Sequence, residues 1–150
     1  MKKTVTLFVA VVMLLTTLSV SFADRGESKS SGKNQKEFKL GVEVLLEEQK
    51  HLIVGKRVGL ITNPTGADQE LNSIVDLLYN NPDVELTALY GPEHGVRGNA
   101  QAGEYVEFYI DETTGLPVYS LYGQTRKPTP EMLENVDVLL FDIQDAGTRF

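Results

Sequence analysis

Two stretches of the chain gather side chains able to do acid–base or recognition chemistry. In Gly91-Pro92-Glu93-His94-Gly95-Val96-Arg97-Gly98, a carboxylate, an imidazole and a guanidinium fall within five positions bracketed by chain-breaking residues. In Asp142-Ile143-Gln144-Asp145-Ala146-Gly147-Thr148-Arg149, two carboxylates, an amide and a second guanidinium follow an apolar run. Glu93 suits general acid or base work if partial burial raises its pKa; the competing reading is a carboxylate that bonds loop amides or pairs with Arg97. His94 can orient Glu93, touch a hydroxyl-rich ligand or bind metal, or be satisfied within its own loop. Asp142 and Asp145 suit acid–base work, metal ligation or hydroxyl recognition, and one of them can simply cap the segment after the strand. Arg97 and Arg149 can hold a carboxylate through paired hydrogen bonds, or form ion pairs with Glu93 or Asp145.

Glu93, His94, Asp142 and Asp145 are also the set that would surround a divalent ion, but the chain has no His-Glu-x-x-His motif and no cysteine. Gly41, Gly55, Gly59 and Gly66 form no dinucleotide fingerprint, and no Gly-rich loop ends in Lys-Ser/Thr. No metal or other cofactor is expected.

These groups must be positioned by regular elements. Apolar spacing predicts a helix from Val42 to about Leu52, and a strand over 57–63 stopped by Pro64-Thr65-Gly66. Leu71, Ile74, Val75 and Leu78 recur at helical spacing, with Asp68 as cap and Asn80-Asn81-Pro82 as the stop. Leu86 to Tyr90 and Pro117 to Tyr122 read as strands, and the segment between them holds a small excursion around 105–110. Thr129-Pro130 opens a short helix. Val136 to Ile143 is a last strand, whose continuous apolar run suits a sheet covered on both faces.

Strand–helix–strand order implies an α/β fold, a parallel Rossmann-like sheet flanked by helices. In such a sheet all carboxyl ends share one edge, where ligands bind. The strand exits carry Asn63, Glu93, His94, Tyr122, Asp142 and Gln144 to that edge, whereas Lys56, Asp83 and Asn135 on the opposite edge are ordinary charged connections.

Lys2 and Lys3, an apolar run from Thr4 to Val20 and the small residues Ser21-Phe22-Ala23 have the form of a signal peptide over 1–23. Export with no lasting membrane anchor is expected. Residues 24–38 are polar and rich in Ser, Lys and Gly, a disordered linker, leaving 39–150 as the folded part. Without the leader the chain is near −9, from 12 basic and 21 acidic side chains. That balance excludes nucleic acid as a partner and requires local cations to catch any anionic ligand.

Four ordered motifs carry a family resemblance: Lys56-Arg57-Val58-Gly59-Leu60-Ile61-Thr62-Asn63-Pro64, the Gly91–Gly98 stretch, Thr114-Gly115-Leu116-Pro117-Val118-Tyr119-Ser120-Leu121-Tyr122-Gly123, and Phe141 to Phe150. Together, over essentially everything from Leu40 onward, the chain resembles the exo-β-N-acetylmuramidases of bacterial cell-wall recycling. The resemblance implies a secreted glycoside hydrolase that removes N-acetylmuramic acid from the non-reducing end of peptidoglycan fragments. It implies a Rossmann-like domain joined to a smaller C-terminal domain with the cleft between them.

Glu93 is then the leading catalytic candidate, with Asp142 or Asp145 as the second carboxyl. Asn63, His94, Arg97, Gln144 and Arg149 form the substrate-binding set, and the lactyl carboxylate of the sugar gives Arg97 or Arg149 a definite partner. Members of that family are more than twice as long, and this chain stops within the fourth motif. The last strand is therefore expected to have one unpaired side and partly uncovered apolar faces. The 150 residues alone are expected to be inactive. A non-catalytic binder of wall sugars and a metal-dependent hydrolase are the alternatives.

Overall fold

The computed structural model of the chain describes residues 38–144, apart from Ala102 and Tyr105. The expected leader, nearly all of the linker, and Asp145 and Arg149 lie outside the described residues. Helix α1 spans Gly41–Glu47 and is followed by a 3₁₀ turn at Lys50–Leu52, so the helix expected over 42–52 is interrupted at Glu48 and Gln49. Strand β1 is Arg57–Thr62, helix α2 Ile74–Tyr79 and strand β2 Glu85–Gly91. A two-residue β3 (Tyr109–Ile110), β4 (Pro117–Ser120) and β5 (Val138–Asp142) complete one sheet of order β3-β4-β2-β1-β5. β2 and β5 flank β1 in parallel and β4 is parallel to β2, while β3, the expected excursion, is antiparallel to β4.

The two faces of the sheet are unequal. Alternation sends Val58 and Leu60 to the face that carries the helices, where they pack in one cluster with Val42, Ile74, Val75 and Leu78. A bulge between Val58 and Gly59 resets the β2 register, so that Leu86 pairs with Val58 and Leu89 with Leu60 on that same face. Thr87, the extra residue, donates its hydroxyl to the carbonyl oxygens of Val58 and Asn135.

The second face carries Gly59, Ile61, Tyr90 and Tyr119. Gly59 is required by close approach, since a Cβ there would lie 3.0 Å from both Tyr90 and Val136. Tyr90 is fully buried, stacks on Tyr119 at 5.5 Å between ring centres, and donates its hydroxyl to Met132 O at 2.6 Å. Burial pushes its phenol up to about 12.

β5 agrees with the expectation of an unpaired side and partly uncovered apolar faces among the described residues, and corrects the reading of its run as covered on both faces. Its inward residues are half-buried, but Leu139 is 40% and Phe141 70% exposed, so its apolar run does not have both faces covered. The bare residues lie on the face opposite α1 and α2, which pack over Val58, Leu60, Val138 and Leu140.

The second helix begins later than the spacing suggested. Ser73, not Asp68, caps α2 by accepting from Val75 N–H. Asp68 instead braces the preceding turn, accepting from the backbone and side-chain N–H groups of Asn72. Leu71 is 85% exposed and left-handed (φ 65°), outside the apolar face it was expected to join. The short helix after Thr129 is a 3₁₀ turn, Glu131–Leu133, capped by Pro130, with Thr129 one position earlier. At the amino edge the charges satisfy one another: Arg57 pairs with Asp137 at 2.7 Å and Lys50 with Asp83 at 2.7 Å.

Leu71 holds a conformation that disfavours a side chain with a Cβ while burying almost nothing. Leu71→Gly is therefore expected to stabilise the fold by about 0.5–1 kcal/mol, read as a higher urea midpoint at unchanged slope.

Candidate active site at the carboxyl edge

From β1 the chain moves through α2 to β2 and on to β4, then returns across the sheet to β5 on the far side of β1. The reversal point lies between the carboxyl ends of β1 and β5, the position where open α/β sheets leave a crevice. The two exits are tied together there. Thr62 Oγ1 donates to Asp142 O at 2.8 Å. Thr65 Oγ1 accepts from Gln144 N–H at 2.9 Å and donates to Asn63 Oδ1 at 2.6 Å. Gly66 makes the crossing possible, because a Cβ there would fall 2.2 Å from Thr62 Oγ1 and 3.0 Å from Asp142 O.

The loop after β2 carries Glu93, His94 and Arg97. Gly91 passes so close to its own loop that a Cβ would meet Gly95 and Val96 at 3.1 Å. His94 is left-handed (φ 74°), as is Gly95 after it (φ 71°), so the loop makes a tight, constrained turn. His94 Nδ1 lies 3.1 Å from Ala100 O, which can only accept, so Nδ1 carries a hydrogen and donates it. Glu93, partly buried, accepts from Gly103 N–H at 3.0 Å through Oε1. Its loop leans on the β1 exit, where a Cβ on Gly98 would strike Pro64 at 2.6 Å.

Arg97 is placed differently from the expectation that it pairs with Glu93 or faces a ligand. Its Nε and Nη2 donate to Asp111 at 2.6 and 2.9 Å, and its Nη1 and Nη2 donate to Asp76 at 3.1 and 2.8 Å. Four of the five guanidinium hydrogens are thus engaged, and Arg97 becomes a clamp rather than a substrate ligand. Asp111 is buried and also accepts from the backbone and hydroxyl of Thr114 at 3.0 and 2.8 Å. Arg97 and these hydrogen bonds hold its carboxyl down at about 2, against the cost of burial. Sequence reasoning missed Asp76, Asp111 and Thr114; the spacing Asp111-x-x-Thr114-Gly115 between two strands was the available sign of a side-chain-braced turn.

Asp142 ends β5 and lines a cleft of about 160 Å³ with Gly41, Val42, Leu45, Ile74, Leu140 and Phe141. This apolar setting raises its pKa by desolvation. The exits of β2 and β5 open on one edge with β1 between them, roughly 10 Å of sheet. Among the described residues, no three His, Asp or Glu side chains gather as a metal site requires.

The clamp makes a stability prediction with a definite sign. Because Asp111 has a lowered folded pKa, its contribution is fully present above the unfolded value near 3.8 and is lost as pH falls through about 2. Asp111→Asn should cost at least about 2 kcal/mol at pH 7, and the gap to the parent should narrow between pH 4 and pH 2 in urea titrations.

Comparison with known proteins agrees with this architecture. Residues 58–150 match the family profile described as exo-β-N-acetylmuramidase NamZ, N-terminal. The chain is 55% identical over its whole length to the peptidoglycan β-N-acetylmuramidase NamZ of Bacillus subtilis (strain 168), of which it spans 36%. Two crystal structures of DUF1343 family proteins from Bacteroides fragilis share the fold. One has a TM-score of 0.65 and 60% identity over 73% of this chain and 27% of its own. The other has a TM-score of 0.56 and 32% identity over 75% and 27%. The matched profile and the Bacillus relative, together with a parallel sheet that brings Glu93 and Asp142 to one edge, make this chain a member of the exo-β-N-acetylmuramidase NamZ family, in its N-terminal part.

Proposed function

We propose that this chain supplies the catalytic edge of a glycoside hydrolase that releases N-acetylmuramic acid from the non-reducing end of peptidoglycan fragments. The observation that carries the reading is Glu93, held in a constrained Gly-Pro-Glu-His-Gly loop at the carboxyl edge of a sheet whose family includes a peptidoglycan β-N-acetylmuramidase. Glycosidic cleavage needs a carboxylic acid to protonate the leaving oxygen and a second carboxyl to support the oxocarbenium-like transition state. Glu93 takes the first role. Asp142 or Asp145 takes the second, as the ionised partner.

Asn63, His94 and Gln144 surround the sugar from neighbouring exits, His94 through Nε2. With Arg97 consumed by two carboxylates, Arg149 becomes the cation for the lactyl group. An exported location, through a leader ending at Ala23, puts the enzyme where its substrate is. No metal or nucleotide takes part in this chemistry.

The test is release of 4-nitrophenol from 4-nitrophenyl N-acetylmuramide by this sequence extended with the remaining part of the Bacillus relative. Glu93→Gln should lower kcat by about 10²–10⁴-fold with little change in KM. Activity within threefold of the parent would remove Glu93 from the chemistry. For the 150 residues alone we infer binding of wall sugars without turnover, since they span 36% of the Bacillus relative. Titration calorimetry with N-acetylmuramic acid should show heat, and a flat titration contradicts it.

A further inference from the structure

Two cations at the carboxyl edge have no counter-ion. Of the described lysines and arginines, Lys39, Lys50, Arg57 and Arg97 pair with carboxylates, and Lys56 donates to Leu52 O at the amino edge. That leaves Arg126 and Lys127, both exposed and, among the described residues, without a side-chain partner. Without its leader the chain is near −9, from 12 basic and 21 acidic side chains. In so acidic a chain, an adjacent pair of cations left free of carboxylates is a local anion trap against the overall field.

The loop that carries them starts beside Glu93 and is braced along its length. Leu121 N–H donates to Gly91 O at 2.8 Å, which ties the β4 exit to the β2 exit just before Glu93. Ser120 Oγ accepts from Tyr122 N–H at 3.2 Å and donates to Tyr122 O at 3.0 Å. Thr125 Oγ1 does the same for Lys127, accepting from its N–H at 3.3 Å and donating to its O at 2.6 Å. Pro128 and Pro130 stiffen the chain that follows. Arg126 and Lys127 therefore sit on a loop of restricted shape, which lowers the ordering cost of holding a ligand.

The inference rests on the reading of Glu93 as the acid that protonates the leaving oxygen. In that reading the terminal sugar lies above β1, between Glu93 and the β5 exit. The leaving saccharide then runs past Glu93 and over the β4 exit, one strand spacing of about 4.8 Å further along the edge. Peptidoglycan strands alternate two sugars, so the first leaving sugar is neutral N-acetylglucosamine and the next is again N-acetylmuramic acid, with its own lactyl carboxylate. We propose that Arg126 and Lys127 bind the lactyl carboxylate of this third sugar and so favour glycan fragments of at least three sugars. The guanidinium offers paired hydrogen bonds and the ammonium a point charge. Arg149, assigned above to the lactyl group of the terminal sugar, is a separate cation.

The test uses this sequence extended with the remaining part of the Bacillus relative. Its substrates are 4-nitrophenyl N-acetylmuramide, the trisaccharide N-acetylmuramyl-N-acetylglucosaminyl-N-acetylmuramic acid, and a trisaccharide of the same length that ends in N-acetylglucosamine. At low salt the parent should show a kcat/KM about fivefold higher on the first trisaccharide than on the second, through KM, and added salt should erode that margin. Arg126→Gln combined with Lys127→Gln should abolish the margin while turnover of the 4-nitrophenyl glycoside stays within about twofold. Arg126→Lys combined with Lys127→Arg, which keeps both charges, should retain most of it. A parent without the margin, or a glutamine variant that keeps it, overturns the proposal. So does a glutamine variant that slows all three substrates alike, because the loop then has a structural role only. A parent that cleaves none of the three overturns the glycosidase reading, and this inference with it.

Discussion

Arg97, gripped between Asp76 and Asp111, is the interaction on which the candidate site depends. The loop from Pro92 to Gly103 has no ladder of its own, and its shape comes from the elements it is fastened to. Asp76 belongs to α2 and Asp111 to the turn between β3 and β4, so one guanidinium joins the helix layer, the hairpin and the loop four residues beyond Glu93. Asp111 is buried and both its oxygens accept hydrogen bonds, Oδ1 from Arg97 and Oδ2 from Arg97 and Thr114. A carboxylate in that position is tolerable only because it is fully paired; removing Arg97 would leave a buried charge uncompensated, a loss of about 3–5 kcal/mol.

The second constraint is topological. The strand order reverses at β1, and the hydrogen bonds through Thr62 and Thr65 tie the β1 and β5 exits together. The Glu93 loop lies on the other side of β1 and rests on Pro64 at Gly98. Two carboxyls thus come to one edge in unlike settings. Glu93 is hydrogen-bonded to a loop amide, whereas Asp142 sits in an apolar cleft that discourages its ionisation.

Much of this was readable from the residues. The apolar runs read at 57–63, 86–90 and 136–143 became the parallel strands β1, β2 and β5 within a residue or two at each end, and the parallel sheet in turn sent Asn63, Glu93, His94 and Asp142 to one edge. What escaped was non-local. Arg97 was matched to acids near it in the sequence, but its partners lie 21 and 14 residues away and meet it only through the fold. Asp68 looked like a cap because it precedes the apolar series, yet Ser73 sits at the true start and Leu71 turns outward. The continuous run in β5 suited a strand covered on both faces, whereas the family resemblance implied partly uncovered faces; the structure agrees with the second, since the helices pack over Val138 and Leu140 and leave Leu139 and Phe141 bare.

The most direct measurement is a crystal structure of this sequence, extended with the rest of the Bacillus relative, soaked with N-acetylmuramic acid. The sugar should occupy the carboxyl edge above β1, with its anomeric carbon within reach of the Glu93 carboxyl on one side and of the β5 exit on the other. A sugar bound at the amino edge, or one lying at the carboxyl edge with Glu93 still turned away toward Gly103, would contradict the site described above.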